Sequence, residues 1–178
     1  GIYFSNQSSG KVSSSIINTS VAGIIIYDSE PLITACTIRG NISGGEAVSC
    51  TASNALFQSN LITNNSRGIV CDSLDESLFI NNTLVNNTSW AVDCNNLSSE
   101  FRNNIIWNNG AGVSGDVNMS YSCIQNAGLG CEPLSENSYN ITCDPLFAGG
   151  SDCRLSVDSP CINSADPNTD YTGLTDID

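Results

Sequence analysis

A single frame of apolar and polar positions recurs along the chain: Val12-Ser-Ser-Ser-Ile-Ile-Asn18, Ile33-Thr-Ala-Cys-Thr-Ile-Arg39, Phe57-Gln-Ser-Asn-Leu-Ile-Thr63, Phe79-Ile-Asn-Asn-Thr-Leu-Val85 and Phe101-Arg-Asn-Asn-Ile-Ile-Trp107. The starts lie 21, 24, 22 and 22 residues apart. A weaker sixth copy begins at Met119 and keeps Ser122, Cys123 and Ile124 in the matching places. Two columns are apolar throughout: Val12, Ile33, Phe57, Phe79, Phe101, and Ile17, Ile38, Ile62, Leu84, Ile106, Ile124. A third reads Ser15, Cys36, Asn60, Asn82, Asn104. After a polar turn each copy enters a second short run: Gly23-Ile-Ile-Ile-Tyr27, Ala47-Val-Ser-Cys50, Gly68-Ile-Val-Cys71 and Ala91-Val-Asp-Cys94. Gly1-Ile-Tyr-Phe4 reads as the same run from a preceding copy.

Short runs of β-formers punctuated by Asn, Gly and Ser predict strands, and no apolar stripe of helical period competes with them. Each repeat is too small to hide its own apolar face, so stacking is the stable solution. A coil carrying two or three strands, hydrogen-bonded to the next coil about 4.8 Å along an axis, places equivalent residues over one another. Ile and Leu then fill the interior. Asn60, Asn82 and Asn104 become an inward ladder that passes amide hydrogen bonds from coil to coil. The expectation is an all-β parallel solenoid of about six coils over residues 1–126, closed by a loop-rich segment, 127–178, of the same domain.

The 178 residues carry five Lys+Arg against 18 Asp+Glu, a net charge of −13, and no His. That sign disfavours nucleic acid and anionic lipid as partners. The missing His excludes His-based triads, metal sites and pH switches, and no apolar stretch is long enough to span a membrane as a helix. Nine Cys occur with no Cys-x-x-Cys pair, which favours disulfides in an oxidising, extracellular compartment over zinc. Cys36 is the first choice for a core thiol. The disulfide candidates are Cys50, Cys71, Cys94, Cys123, Cys131, Cys143, Cys153 and Cys161, and the first three end the second strand in successive coils. Their pairing stays open.

Asn-x-Ser/Thr occurs at Asn6, Asn18, Asn41, Asn64, Asn81, Asn86, Asn87, Asn96, Asn118 and Asn140 among 23 Asn, about twice what chance placement gives. Most fall in turns after strands, which predicts glycan acceptors on the outer corners. Asn also suits turns for its own reasons.

The repeats resemble the right-handed parallel β-helix of the pectate-lyase-like superfamily, which also combines a Gly-Ile strand with an Asn-Asn-x-apolar strand. Cys143-Asp-Pro-Leu-Phe147, Cys153-Arg-Leu-Ser156 and Ser159-Pro-Cys-Ile-Asn-Ser-Ala-Asp-Pro167 are similar to the closing region of secreted microbial β-helix surface proteins. The resemblance implies that these pieces pack along the outside of the coil. It also implies that Asp176-Ile-Asp178 is not the family's usual ending, while a strand at Gly1 implies a neighbouring coil or subunit on that side.

The superfamily includes lyases and hydrolases, so catalytic groups are the test. Lyases of this fold use Arg or Lys with carboxylate-bound calcium. Here Lys11, Arg39, Arg67, Arg102 and Arg154 are scattered over different columns. Asp72, Asp75, Glu76 and Asp93 form the nearest approach to an acidic cluster, read as a solvated turn. Asp166, Asn168 and Asp170 have the alternating oxygen ligands of a calcium loop, but Tyr171 and Ile177 stand where an EF-hand needs Gly and Glu. The column Ile16, Thr37, Leu61, Thr83, Ile105 lacks the repeated Thr of an ice-binding face. The expected role is a non-enzymatic, N-glycosylated structural or adhesive protein of the cell surface, able to stack end to end into a fibre. The alternative is a carbohydrate-active enzyme or carbohydrate-binding module, with carbohydrate as partner. No cofactor is expected beyond a loose calcium ion.

Overall fold

The computed structural model describes residues 1–18, 21–72, 74–125, 138–149 and 152–168. Among the described residues the chain winds through three parallel sheets of six strands each. The first sheet contains Ile2–Phe4, Ile24–Tyr27, Glu46–Thr51, Arg67–Cys71, Trp90–Cys94 and Ala111–Ser114. The second contains Lys11–Ser13, Leu32–Thr34, Leu56–Gln58, Leu78–Ile80, Asn96–Arg102 and Val117–Ser120. The third contains Ile16–Asn18, Thr37–Arg39, Leu61–Thr63, Thr83–Val85, Ile105–Trp107 and Cys123–Ile124. Each seven-residue frame is therefore two strands with a corner between them, giving three strands per coil.

Register converts the sequence columns into rows. Ile17, Ile38, Ile62, Leu84, Ile106 and Ile124 pair in succession across the third sheet. Val12, Ile33, Phe57, Phe79, Phe101 and Met119 do the same across the second. Alternation in each short strand points the middle residue inward, and Ile33, Ile38, Phe57, Ile62, Phe79, Leu84, Phe101 and Ile106 are fully buried. The three rings stack at 4.9 Å and 4.5 Å between centroids, tilted by 17° and 10°. Each buried Phe contributes both transfer energy and ring-on-ring contact, so no coil is hydrophobically complete without its neighbours. Entry into the first sheet needs small residues. A Cβ on Gly68 would lie 2.2 Å from the Ala91 carbonyl oxygen.

The corners explain the asparagines. Ser14, Ala35, Ser59, Asn81, Asn103, Tyr121 and Tyr139 all have φ between 48° and 58° at the bend from the second sheet to the third. A single left-handed residue turns the chain, and Asn tolerates that conformation better than most. The next residue points inward. Asn60 Oδ1 accepts from the Cys36 N–H at 2.9 Å, Asn82 Oδ1 from the Asn60 N–H at 3.0 Å, and Asn104 Oδ1 from the Asn82 N–H at 2.9 Å. Each amide nitrogen donates to a carbonyl near the preceding corner: Asn60 to Ile33, Asn82 to Phe57, Asn104 to Phe79. Ser122 and Asn140 extend the row to the last described coil.

A second amide ladder holds the corner after the third sheet. Asn41, Asn65, Asn87 and Asn109 pass the same bonds at 2.9–3.1 Å. Asn64, Asn86 and Asn108 are the left-handed residues preceding three of them. Asn41 and Asn87, expected on outer turns, are thus buried in this ladder.

Residues 138–141 continue the third sheet and the first amide ladder by one more rung. Ile141 bridges Cys123, Asn140 donates to the Met119 carbonyl at 2.8 Å, and Tyr139 stacks on Tyr121 at 4.7 Å. An antiparallel hairpin, Phe147–Gly149 with Asp152–Leu155, follows. Phe147, Asp152 and Cys153 line a cleft against Val85 and Trp107. Further along, the Asp166 N–H donates to Asn103 Oδ1 at 2.9 Å.

Asn82→Leu keeps the volume but leaves the Asn60 N–H and the Phe57 carbonyl unpaired in a dry interior. It should lower unfolding stability by about 2–4 kcal/mol, comparable with Asn82→Ala, as read by urea denaturation. Recovery of wild-type stability by the Leu variant would mean that the ladder only fills space.

Candidate functional site

The acidic cluster expected at Asp72, Asp75, Glu76 and Asp93 is taken apart by the fold. Asp75 is fully buried and not in a solvated turn. Its Oδ1 accepts from the Ser53 N–H at 3.2 Å and the Ser77 hydroxyl at 3.0 Å. Its Oδ2 accepts from the Ser77 N–H at 3.2 Å and the Ser99 hydroxyl at 2.8 Å. Burial raises its pKa, and these donors oppose the rise. Asp75 is thus the charged member of a serine row in which the Ser8 N–H donates to Ser29 Oγ and the Ser29 N–H to Ser53 Oγ. The clue in the sequence was the Ser at the matching place in neighbouring repeats.

Asp93 faces Arg67 at 3.9 Å, and Arg67 also pairs with Glu46, its register partner in the adjacent coil. Arg102 pairs with Glu100 and lies 3.9 Å from Asp166. The Arg154 guanidinium beside Asp152 holds that carboxyl down to about 2. Three of the five basic residues, scattered in sequence, are therefore committed to carboxylates of this same chain, and Arg67 meets Glu46 at the matching position of an adjacent coil.

One open groove runs across four coils at the corner from the first sheet to the second. Gln7, Asp28, Glu30, Asn54, Leu74 and Glu76 line its roughly 330 Å³. Carboxylates and amides at such a rim can hydrogen-bond hydroxyl-rich ligands. Leu74 is 71% exposed there.

The sequons divide sharply. Asn6, Asn18, Asn64 and Asn118 are exposed, and Asn81 and Asn86 are half-buried. The expectation of outward acceptors is corrected at Asn41, Asn87 and Asn140, which are 0%, 1% and 5% exposed. Their amide nitrogens donate inside the ladders, so a glycan there would break the corner. The side chain of Asn96 lies outside the described residues. The excess of sequons itself has a structural source. In Asn64-Asn65-Ser66, Asn81-Asn82-Thr83 and Asn86-Asn87-Thr88 the first Asn is the left-handed residue and the second is the ladder amide.

Cysteine chemistry also departs from a uniform disulfide frame. Cys143 is disulfide-bonded, whereas Cys50, Cys71, Cys94, Cys123, Cys153 and Cys161 are thiols. Cys50, Cys71 and Cys94 are in register along the first sheet, beneath Ile26, and act as a core column. Burial pushes the Cys50 and Cys71 thiols up, and contact with Cys71, then burial, pushes up that of Cys94. Cys36 is a core thiol as expected, donating to the Thr34 carbonyl at 3.3 Å. Cys131 lies outside the described residues, as does Asp170 of the candidate calcium loop. Of that loop's other members, Asp166 accepts from the Asn168 N–H at 2.9 Å and faces Arg102. Among the described residues no group of three His, Cys, Asp or Glu is arranged to hold a metal.

Asp75 binds its proton more tightly in the folded chain than in the unfolded one. Its contribution is greatest at low pH and declines as pH rises from the ordinary carboxylate range through the raised folded value. Asp75→Ala should lose about 2–4 kcal/mol at neutral pH, from the unpaired Ser53 and Ser77 N–H groups. The deficit against wild type should widen as urea titrations move from pH 7 to pH 4. A constant deficit would remove the burial argument.

Three parallel sheets, two internal amide ladders and in-register apolar rows are the geometry of a β-solenoid. A family model described as a right handed beta helix region matches residues 1–140. No curated protein and no solved structure matches the chain. The chain belongs to the right-handed β-helix family.

Proposed function

We propose that this β-helix is an extracellular structural or adhesive component, a stiff rod that presents surface and is not itself a catalyst. The observation that carries the reading is the use made of its charged and amide groups. Asp75 completes an internal row, Arg67 and Arg102 tie neighbouring segments, and eight ladder asparagines hold corners. Rows of this kind favour a rod of fixed cross-section. The cystine half at Cys143 and the nine cysteines without metal spacing support an oxidising compartment. N-glycans belong to the same reading at Asn6, Asn18, Asn64 and Asn118, the exposed acceptors.

A second reading is favoured by the groove at Asp28, Glu30, Asn54 and Glu76, whose donors and acceptors suit a neutral polysaccharide. It makes the chain a carbohydrate-binding module on the same fold.

The chain, expressed through a glycosylating secretory route, should carry glycan at one or more of Asn6, Asn18, Asn64 and Asn118 and none at Asn41, Asn87 or Asn140, read by peptide mass before and after deglycosylation. Purified protein should release no sugar from neutral or acidic polysaccharides, with or without calcium. Turnover abolished by Glu30→Ala or Glu76→Ala would overturn the structural reading, while binding without turnover that those variants abolish would establish the second.

A further inference from the structure

The outward-facing column of the third sheet carries near its end, one rung before Ile141, a cysteine that the closing segment covers. Residues of this column, Thr37, Leu61, Thr83, Ile105 and then Cys123, are register partners, and the first four are half-buried. Cys123 alone is 3% exposed. What covers it is the closing segment: its thiol donates to the Cys143 carbonyl at 3.1 Å and is hydrogen-bonded to the Cys161 side chain. Cys161 is placed by a fixed turn. Its N–H donates to Ser159 Oγ at 3.1 Å, and the buried Ser159 hydroxyl donates to the Pro145 carbonyl at 2.6 Å. The Ser164 hydroxyl donates back to the Cys161 carbonyl at 2.8 Å. Two thiols from segments 38 residues apart are thus held side by side by backbone contacts that do not depend on a bond between them.

We infer that Cys123 and Cys161 are a cross-link site, joined by a disulfide that fastens the closing segment across the outer face of the third sheet. Forming that bond needs a two-electron oxidant, a small disulfide such as oxidised glutathione. Cys161 is half-buried and so the accessible partner, and its contact with the Cys123 side chain favours its thiolate. That thiolate attacks one glutathione sulfur, forming a mixed disulfide and expelling a glutathione thiolate. Cys123, whose proton passes to the thiolate released, attacks Cys161 Sγ and expels the second glutathione. One protein disulfide forms, two electrons leave the protein, and one oxidised glutathione becomes two reduced ones. The buried column Cys50, Cys71 and Cys94 stays out of this exchange because its thiols have no path to the donor.

The full chain, equilibrated in mixed oxidised and reduced glutathione, acid-quenched, denatured and alkylated, should yield a non-reduced peptide joining Cys123 to Cys161. Cys50, Cys71 and Cys94 should be alkylated. Cleavage of the closing segment by a non-specific protease should slow roughly tenfold or more on oxidation, and the slowing should vanish in Cys161→Ser. Cys161 is half-buried, so this variant should fold, with far-ultraviolet dichroism matching wild type. Alkylation of both Cys123 and Cys161 after equilibration, or recovery of either in a bond to Cys153 or Cys143, would overturn the assignment.

Discussion

Side-chain amides stacked one coil above another make the corners of this molecule possible. A chain that turns sharply three times per coil leaves backbone N–H and carbonyl groups facing a dry interior, where each unpaired group is unfavourable by about 1–3 kcal/mol. Asn answers both needs at once, because its oxygen accepts from the N–H of the coil before and its nitrogen donates to a carbonyl of that coil. The bonds form only if coils are in register. The same registration stacks Phe57, Phe79 and Phe101 ring on ring and places Ile62 over Ile38. Polar and apolar rows therefore select one alignment, and slipping a coil by one residue would lose both.

This dependence explains what was legible in the chain. Parallel in-register stacking forces equivalent positions to share an environment, so the apolar columns and the Asn60, Asn82, Asn104 row could be read from spacing alone. Even the weak copy at Met119 held, with Phe101 pairing Met119 and Ile106 pairing Ile124. The second ladder was missed because Asn in a turn has two physical meanings, a left-handed bend or an inward amide, and the sequon pattern mixes them. A constant offset was available: Asn65, Asn87 and Asn109 each follow the first-ladder residue by five. Asp75 was misread for a related reason. A carboxylate among polar residues looks solvated unless the neighbouring coil is known to bring Ser53 and Ser99 to it.

The functional surface was the least legible part, because outward positions are free to vary from coil to coil. Arg67 and Glu46 sit opposite each other across coils, yet their neighbours in the same columns carry no charge pattern that announces the pair. Cysteine shows the same limit. One residue type serves as a ladder substitute at Cys36, as core at Cys50, Cys71 and Cys94, and as a contact with the closing segment at Cys123.

The last two described steps of the first ladder take 18 residues each, to Ser122 and to Asn140, where the preceding steps take 21 to 24. Val113, Val117 and Met119 on the inner side here are only half-buried. A solenoid melts by fraying from whichever terminus grips least, since every turn is held only by the turns beside it. Strapping Asp166 back onto Asn103, one storey below, makes this end of the rod share the fate of a better-buried coil.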